Sequence, residues 1–340
     1  MKLGSISLWG DSLDDFKTEL RTAEELDFGL ITVGDSPSGW HELYASLAVA
    51  AMETRTAKLA PMVTIPVSRH PMVVASAMSS IWDLSGGRAC FAIGTGGSAT
   101  ASMGIGALTQ KQCRDHMLAL KDLFAGRPTI WEGRELPALR LARPVPIYYS
   151  AKGPKAMALA GEVADGVVLQ VGLSLEETAR KIRLVRDAAE AAGRDPMSID
   201  IWAFSFAAVR DRRDAALNDV KAFLAATGAY TMNQKAFIET VPTQFRAKLQ
   251  ELQARYVVAD HCLVGGRNEP LIDELGLTDY LAEIVAVAGD TGEVAKVLSG
   301  LEKLGVSHFM TALPGNADPL GTLRRMKVAY DAYKRTPAPA

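Results

Sequence analysis

The sequence predicts a (β/α)8 TIM barrel, and three observations carry that expectation. Eight short runs rich in apolar and β-branched residues recur at 2–9, 30–33, 58–66, 88–95, 146–151, 166–171, 199–209 and 306–313. Several are apolar throughout, the pattern of strands buried on both faces. Between them lie helical patterns, with apolar residues three and four apart in 13–27, 42–55 and 175–192. Such alternation gives parallel strands joined by right-handed crossovers, and eight units in 340 residues suit a closed barrel. The turn after the first run, LWGDSLDD, lacks the glycine-rich dinucleotide fingerprint expected of the main alternative, a doubly wound open sheet.

Composition sets the class. Lys+Arg 37 against Asp+Glu 39 leaves a formal net charge of -2, with no basic stripe for nucleic acid or an anionic membrane. An apolar content of 48% and the lack of low-complexity tracts exclude a disordered or fibrous chain. No window reaches the roughly 18 uninterrupted apolar residues of a membrane span. MKLGSISLWGD runs straight into a strand without the apolar stretch of a signal peptide. Cys90, Cys113 and Cys262 are odd in number, lack metal spacing and read as small buried residues, so a reduced, cytoplasmic protein is expected. One barrel domain is expected over 1–335, with a frayed tail at 336–340.

In a barrel of this kind chemistry belongs at the C-terminal strand ends. The first strand ends in Ser7 and Trp9, and Trp9 either stacks on a flat ligand or plugs the barrel. The second ends in VGDSPSGWHE, which places Asp35 at the mouth and Trp40 and His41 at the start of the next helix. These make a polar site with an aromatic wall, or else a capped turn and a helix start. The third reads KLAPMVTIPVSRHP, where prolines on both sides of Met62, Val63 and Thr64 keep the backbone stiff and extended. Arg69 or His70 is expected to bond neighbouring loops.

The fourth run leads into Gly94, Thr95, Gly96 and Gly97, which let backbone approach a ligand closely. After the fifth, Ala151, Lys152, Gly153 and Pro154 open a helix whose free amides suit a phosphate. After the sixth, Gln170, Val171 and Gly172 precede another helix, which Ser174 and Glu177 start as a capping box. Trp202, Phe204 and Phe206 in the seventh either line an apolar pocket or pack in the core, the latter being expected. The segment 229–288, with helical pieces at 244–256 and 268–274, is expected as an insertion between strands seven and eight that covers a ligand as a lid. No metal-binding pattern, nucleophile elbow or phosphate-binding Walker loop occurs, so a cofactor is expected to carry the chemistry.

The blocks AEELDFGLITVGD, LYASLAVAAMETRTAKLAPMVTIPVSRHP, LSGGRACFAIGTG and PIYYSAKGPKAMALAGEVADGVVL, with VAGDTGEVAKVLSGLEKLGVSHF more faintly, occur in this order. The chain thereby resembles the luciferase-like family of flavin- and deazaflavin-dependent oxidoreductases, in particular its methylenetetrahydromethanopterin reductase branch. The resemblance implies a barrel, a homodimer, and coenzyme F420 or FMN in the mouth. It implies a non-proline cis peptide at Met62–Val63 against one face of the ring. Thr64, Thr95 and Gly96 match positions facing the ring or its side chain, and residues 151–154 and 170–172 match the phosphate end.

The chain departs from the reductase pattern at Asp35-Ser36, at Gly97 and at Ile6 or Ser7, so the methanopterin substrate does not carry over. The leading expectation is hydride transfer between reduced F420 and a small organic substrate, with Asp35 or His41 as proton donor or polar anchor. Ser7, Trp9 and Trp40 are the candidate substrate-pocket residues. The alternatives are a two-component monooxygenase that takes reduced FMN from a separate flavin reductase and uses oxygen, and a non-catalytic ligand-binding relative.

Overall fold

The computed structural model describes residues 1–97, 99–100, 103–232, 238–239, 241–311 and 318–335. The expected tail at 336–340 and the last two residues of the run at 306–313 lie outside the described residues.

The expected alternation is present. The strands are β1 (Lys2–Ser7), β2 (Leu30–Val33), β3 (Lys58–Pro61), β4 (Phe91–Ile93), β5 (Thr129–Trp131), β6 (Arg134–Leu136), β7 (Ile147–Ala151), β8 (Gly166–Gln170), β9 (Asp200–Val209), β10 (Ala286–Gly289) and β11 (Val306–Thr311). Eight of them form one parallel barrel in the order β3-β2-β1-β11-β9-β8-β7-β4. Isolated parallel bridges Leu59↔Ala89 and Thr64↔Ile93 join its two ends. Register is set by apolar partners such as Ile31↔Leu59 and Phe91↔Ile147. β2 (LITV), whose one polar side chain Thr32 donates to the Ser5 carbonyl, and all-apolar β4 (FAI) are buried at every position, as strands covered on both faces must be.

Two elements exceed the expectation. Strand β10 lies at the end of the segment expected as an insertion and pairs with β9, off the main path. A short antiparallel hairpin, β5–β6, follows the helix Gln110–Phe124. Its two-residue turn has Glu132 at φ 50 and Gly133 at φ 76, a left-handed pair whose twist matches that of the strands.

The chain divides into two compact units. The first comprises Met1–Leu169, Lys181–Ala203 and Val306–Met310. Its helices include α1 (Leu13–Glu25), α2 (Leu43–Glu53), α3 (Pro71–Ser85), α4 (Gln110–Phe124) and α5 (Pro154–Val163). Arg88, from the LSGGR block, ties several of these together. Its guanidinium donates to the carbonyls of Ala51, Thr54, Ala57 and Ser85, which the ends of α2 and α3 would otherwise leave unpaired.

At the N-terminal ends of the strands this unit buries a polar cluster. Tyr148 stacks on Trp202 at 3.7 Å, and both donate to Asp200 Oδ2, at 2.7 Å and 3.0 Å. Trp202 is thus a core residue, as expected. His308 meets the Trp202 ring edge-on, and burial, with Lys58 nearby, pushes its imidazole down to about 4. Gly166 is required here, because a Cβ would stand 2.3 Å from the Tyr148 ring.

The second unit comprises Gln170–Arg180, Phe204–Gly305 and Thr311–Ala340. After α6 (Leu175–Ala191), which matches the pattern at 175–192, come α7 (Arg213–Ala226), α8 (Thr243–Arg255), α9 (Asn268–Glu274) and α10 (Thr278–Val285), of which α8 and α9 are the expected helical pieces and α7 and α10 go beyond the expectation. Leu224, Leu249, Leu252, Ile272 and Leu281 form their common core, and Phe206 packs against it. α7 runs on into a π-turn at Thr227–Thr231. Buried Asn268 closes the breaker-rich VGGRNEP stretch by bonding the Val257 amide and the Val257 and Asp260 carbonyls. Ser174 accepts the Glu177 amide as expected of a cap, while the Glu177 carboxylate pairs with Arg180. Strand β10 ends in a reciprocal capping box, Asp290 with Glu293.

Candidate functional site

The third strand carries the expected irregularity: the Met62–Val63 peptide is cis. The backbone on either side is held from both neighbours. The Met62 amide donates to the Val33 carbonyl at 2.7 Å, the Thr64 amide to Ala92 at 3.1 Å, and the Gly94 amide back to Thr64 at 3.0 Å. Gly94 lies directly over this turn, where a Cβ would stand 3.0 Å from Val63 Cγ2. Gly96 has φ 94, and a Cβ there would strike Thr100. At Gly97 a Cβ would meet nothing within 4 Å among the described residues. The Thr95 carbonyl accepts the Leu108 amide at 2.7 Å, fixing the loop's return.

Thr64 also links this backbone to the second strand's mouth. Its hydroxyl donates to Asp35 Oδ2 at 2.6 Å, and Arg69 Nη1 donates to the same oxygen at 3.2 Å. Arg69 Nη2 donates to Glu42 Oε1 at 2.5 Å. Glu42 Oε2 in turn caps α2 by accepting the Ala45 amide. Tyr44 lies flat beneath the guanidinium, 4.8 Å from ring centre to Arg69 Cζ. Burial opposes the charge on Arg69, but Asp35, Tyr44 and Glu42 outweigh it and hold the group above the ordinary arginine range. Burial pushes the Tyr44 hydroxyl well above the usual phenol range, and that oxygen has no hydrogen-bond partner among the described residues.

The aromatic wall is continuous with this network. The His41 ring sits 4.4 Å from Trp9, and the His41 amide donates to the Trp9 carbonyl at 3.0 Å. Trp9 stacks on Phe16 of α1 with planes 9° apart. Trp40 borders Gly34, where a Cβ would come within 3.6 Å of its ring. His41 is exposed, and Trp9 and Trp40 are partly so. Ser7 is fully buried. It lies on the helix side of β1, where its hydroxyl bonds Ser5 and the Glu19 carboxyl of α1.

At the end of β7 the helix α5 starts with Gly153 as an N-cap that offers no side chain and Pro154 in the first turn. The first-turn amides thus have no side-chain acceptor. Ala151 is buried. Lys152 is reachable by water yet crowded by protein, and desolvation holds its ammonium below the ordinary lysine range. It forms no ion pair among the described residues.

Gln170, Val171 and Gly172 belong to the second unit. There the Val171 amide donates to Phe204, its carbonyl accepts the Ser205 hydroxyl, and Gly172 approaches the Glu283–Ile284 backbone too closely for a Cβ.

The structure therefore gathers Asp35, Thr64, Trp9, Trp40 and His41 around one network, with Met62, Val63 and Gly94 beside it. Arg69 bonds neighbouring loops, as expected. That it joins two acids over Tyr44 was not readable from SRHP, because Glu42 and Tyr44 belong to the start of a separate helix.

A family model described as luciferase-like monooxygenase matches residues 1–308. The chain belongs to that family. Among luciferase-like relatives, 5,10-methylenetetrahydromethanopterin reductase of Methanolobus tindarius is 33% identical over 309 residues, covering 86% of this chain and 88% of the relative. F420-dependent glucose-6-phosphate dehydrogenase of Nakamurella multipartita is 29% identical over 263 residues, covering 70% and 77%. The solved structure of coenzyme F420 dependent tetrahydromethanopterin reductase from Methanopyrus kandleri superposes with a TM-score of 0.77 at 21% identity, covering 96% of this chain and 97% of that one. That likeness extends the luciferase-like barrel to nearly the whole chain.

Proposed function

We propose that this luciferase-like protein is an F420-dependent oxidoreductase that transfers hydride between the reduced deazaflavin and a small organic substrate. The observation that carries the reading is the F420-dependent relatives' similarity over most of the chain, joined to a rim whose features suit such a cofactor. The residues fit the group. Gly153, the first-turn amides of α5 and Lys152 form an unpaired cationic cradle for a phosphate tail. Gly94 adds no side chain over Val63 of the cis Met62–Val63 backbone, beside which a flat ring would lie.

When bound, reduced F420 supplies the hydride. The chain's own residues do the rest. Met62, Val63 and Thr64 would support the ring, and Gly94, Thr95 and Gly96 would allow its close approach from the fourth strand. Trp9 and Trp40 would hold the substrate and exclude water. Asp35 is committed to Thr64 and Arg69, which makes it the polar anchor. Exposed His41, held against Trp9, would take the proton role and supply a proton to the substrate heteroatom. Gln170, Val171 and Gly172 are cofactor-binding candidates on the family resemblance alone.

The test is a fluorescence titration of purified protein with F420 and with FMN. Saturable F420 binding, weakened about tenfold or more by Lys152→Ala, is expected. Binding of reduced FMN with oxygen consumption instead would favour the monooxygenase reading and its separate flavin reductase.

Two coarser features complete the proposal. The cysteines are free, with Cys90 and Cys113 buried, which suits a reducing, cytoplasmic setting. The outer faces of α2 and α3 also point to a homodimer. Ala45, Ala48, Val49 and Met52 line one, and Val73, Ser76, Ala77, Ser80 and Leu84 the other. Met52 is 76% and Val73 56% exposed, on two helices that pack together.

A further inference from the structure

We infer that the group of the substrate meeting the first three strand ends is uncharged, a neutral carbonyl, alcohol or ring and not a phosphate or carboxylate. The inference rests on the oxidoreductase reading and names its substrate class. It follows from how the charges at this mouth are spent. Arg69 is the cation of the cluster, and both of its terminal nitrogens are already engaged by acids, Nη1 with Asp35 and Nη2 with Glu42. Nη1 also donates to Ser68. The Arg69 side chain is only 18% exposed and that of Asp35 only 4%, so neither turns outward without breaking the set.

Two carboxylates against one guanidinium leave the cluster one negative charge in excess, which a protonated His41 beside it offsets to neutrality at most. An anionic substrate here would find no net positive charge and the Arg69 cation taken. Binding it would require stripping Arg69 from one acid and leaving a carboxylate unpaired. The surfaces still open are ring faces and edges, Trp9, Trp40 and His41, which favour flat or apolar neutral matter.

A matched pair of probes tests this: cyclohexanone and cyclohexanecarboxylate, with dissociation constants measured by ligand-observed NMR at fixed ionic strength. Both are titrated with and without F420 on the wild type and on Glu42→Gln. The wild type should bind the ketone at least tenfold more tightly than the carboxylate. Glu42→Gln, which frees Nη2 while keeping an acceptor for the Ala45 amide, should reduce that ratio about tenfold. Asp35→Asn, which frees Nη1, should move it the same way and serves if the first variant does not fold. A wild type that binds the carboxylate as well as the ketone, or that does not bind the ketone, overturns the inference, as does an unchanged ratio in both variants. Failure of the F420 titration alone removes the cofactor reading and leaves the charge comparison intact.

Discussion

Asp35 illustrates what one buried carboxylate costs and who compensates for it. Its partners come from positions 64 and 69, roughly thirty residues along the chain. Removing only the cation should therefore be expensive. Arg69→Met should lower unfolding stability by about 3 kcal/mol, because the acid remains buried without its charge partner. Asp35→Asn added to it should restore about half or more of the loss. Urea unfolding of both singles and the double reads this as a coupling energy; strict additivity would show that the pair does not matter. Asp35 was legible as a candidate because a strand-end acid in an α/β barrel is conspicuous. Its partnership with Arg69 and Glu42 was not, since it is a tertiary contact between two loops and no local spacing encodes it. Ser7 shows the converse: its place at a strand end was legible, but which side of the sheet it faces depends on the pleat.

Among elements, the barrel strands were legible because burial on both faces leaves runs such as FAI and the VVL of GVVLQ without polar interruption. Their limits were not. The run 88–95 contracts to Phe91–Ile93, since the glycines on one side and Arg88 on the other serve turns and helix ends. Strand β10 was hidden because AVAG is too short and small to stand out from the helices around it. The β5–β6 hairpin had a readable signal in the Glu132-Gly133 pair between TIW and REL. Helices α2 and α3 pose a further question, as both carry apolar or small residues on the side away from the barrel. A helix that is apolar all round is ordinarily buried. Ser76→Arg with Ser80→Arg should convert a dimer to a monomer, raising the dissociation constant a hundredfold or more. Sedimentation equilibrium reads this directly, and a wild type that is monomeric at micromolar concentration would refute the assignment.

For the whole molecule, three buried groups set opposing dependences on pH. Burial pushes His116 and His308 down to about 4 from an ordinary 6.5, His116 with a contribution from nearby His70. Unfolded, both take up a proton below that ordinary value, so stability falls as pH drops from 6.5 towards 4. Glu19 acts in the other sense. Burial raises its carboxyl to about 7 from 4.5, against a hydrogen bond from Ser7. Its contribution is fully present below 4.5 and is lost as pH rises through 7. Glu19→Gln should accordingly gain on the wild type by roughly 2 kcal/mol more at pH 8 than at pH 5. Denaturant unfolding at both values measures it, and a constant difference would show that Glu19 does not titrate in this range.

The lattice of Asp35, Glu42, Thr64 and Arg69 bears on how such enzymes can exchange parts. Residues 34–42 and 62–69 lock each other's position, so neither segment is a free-standing module. A chimaera that imports only one of them from a cousin would inherit an acid or a base without its counterpart and should express poorly. Shuffling to alter selectivity would have to carry both together, as a single cassette.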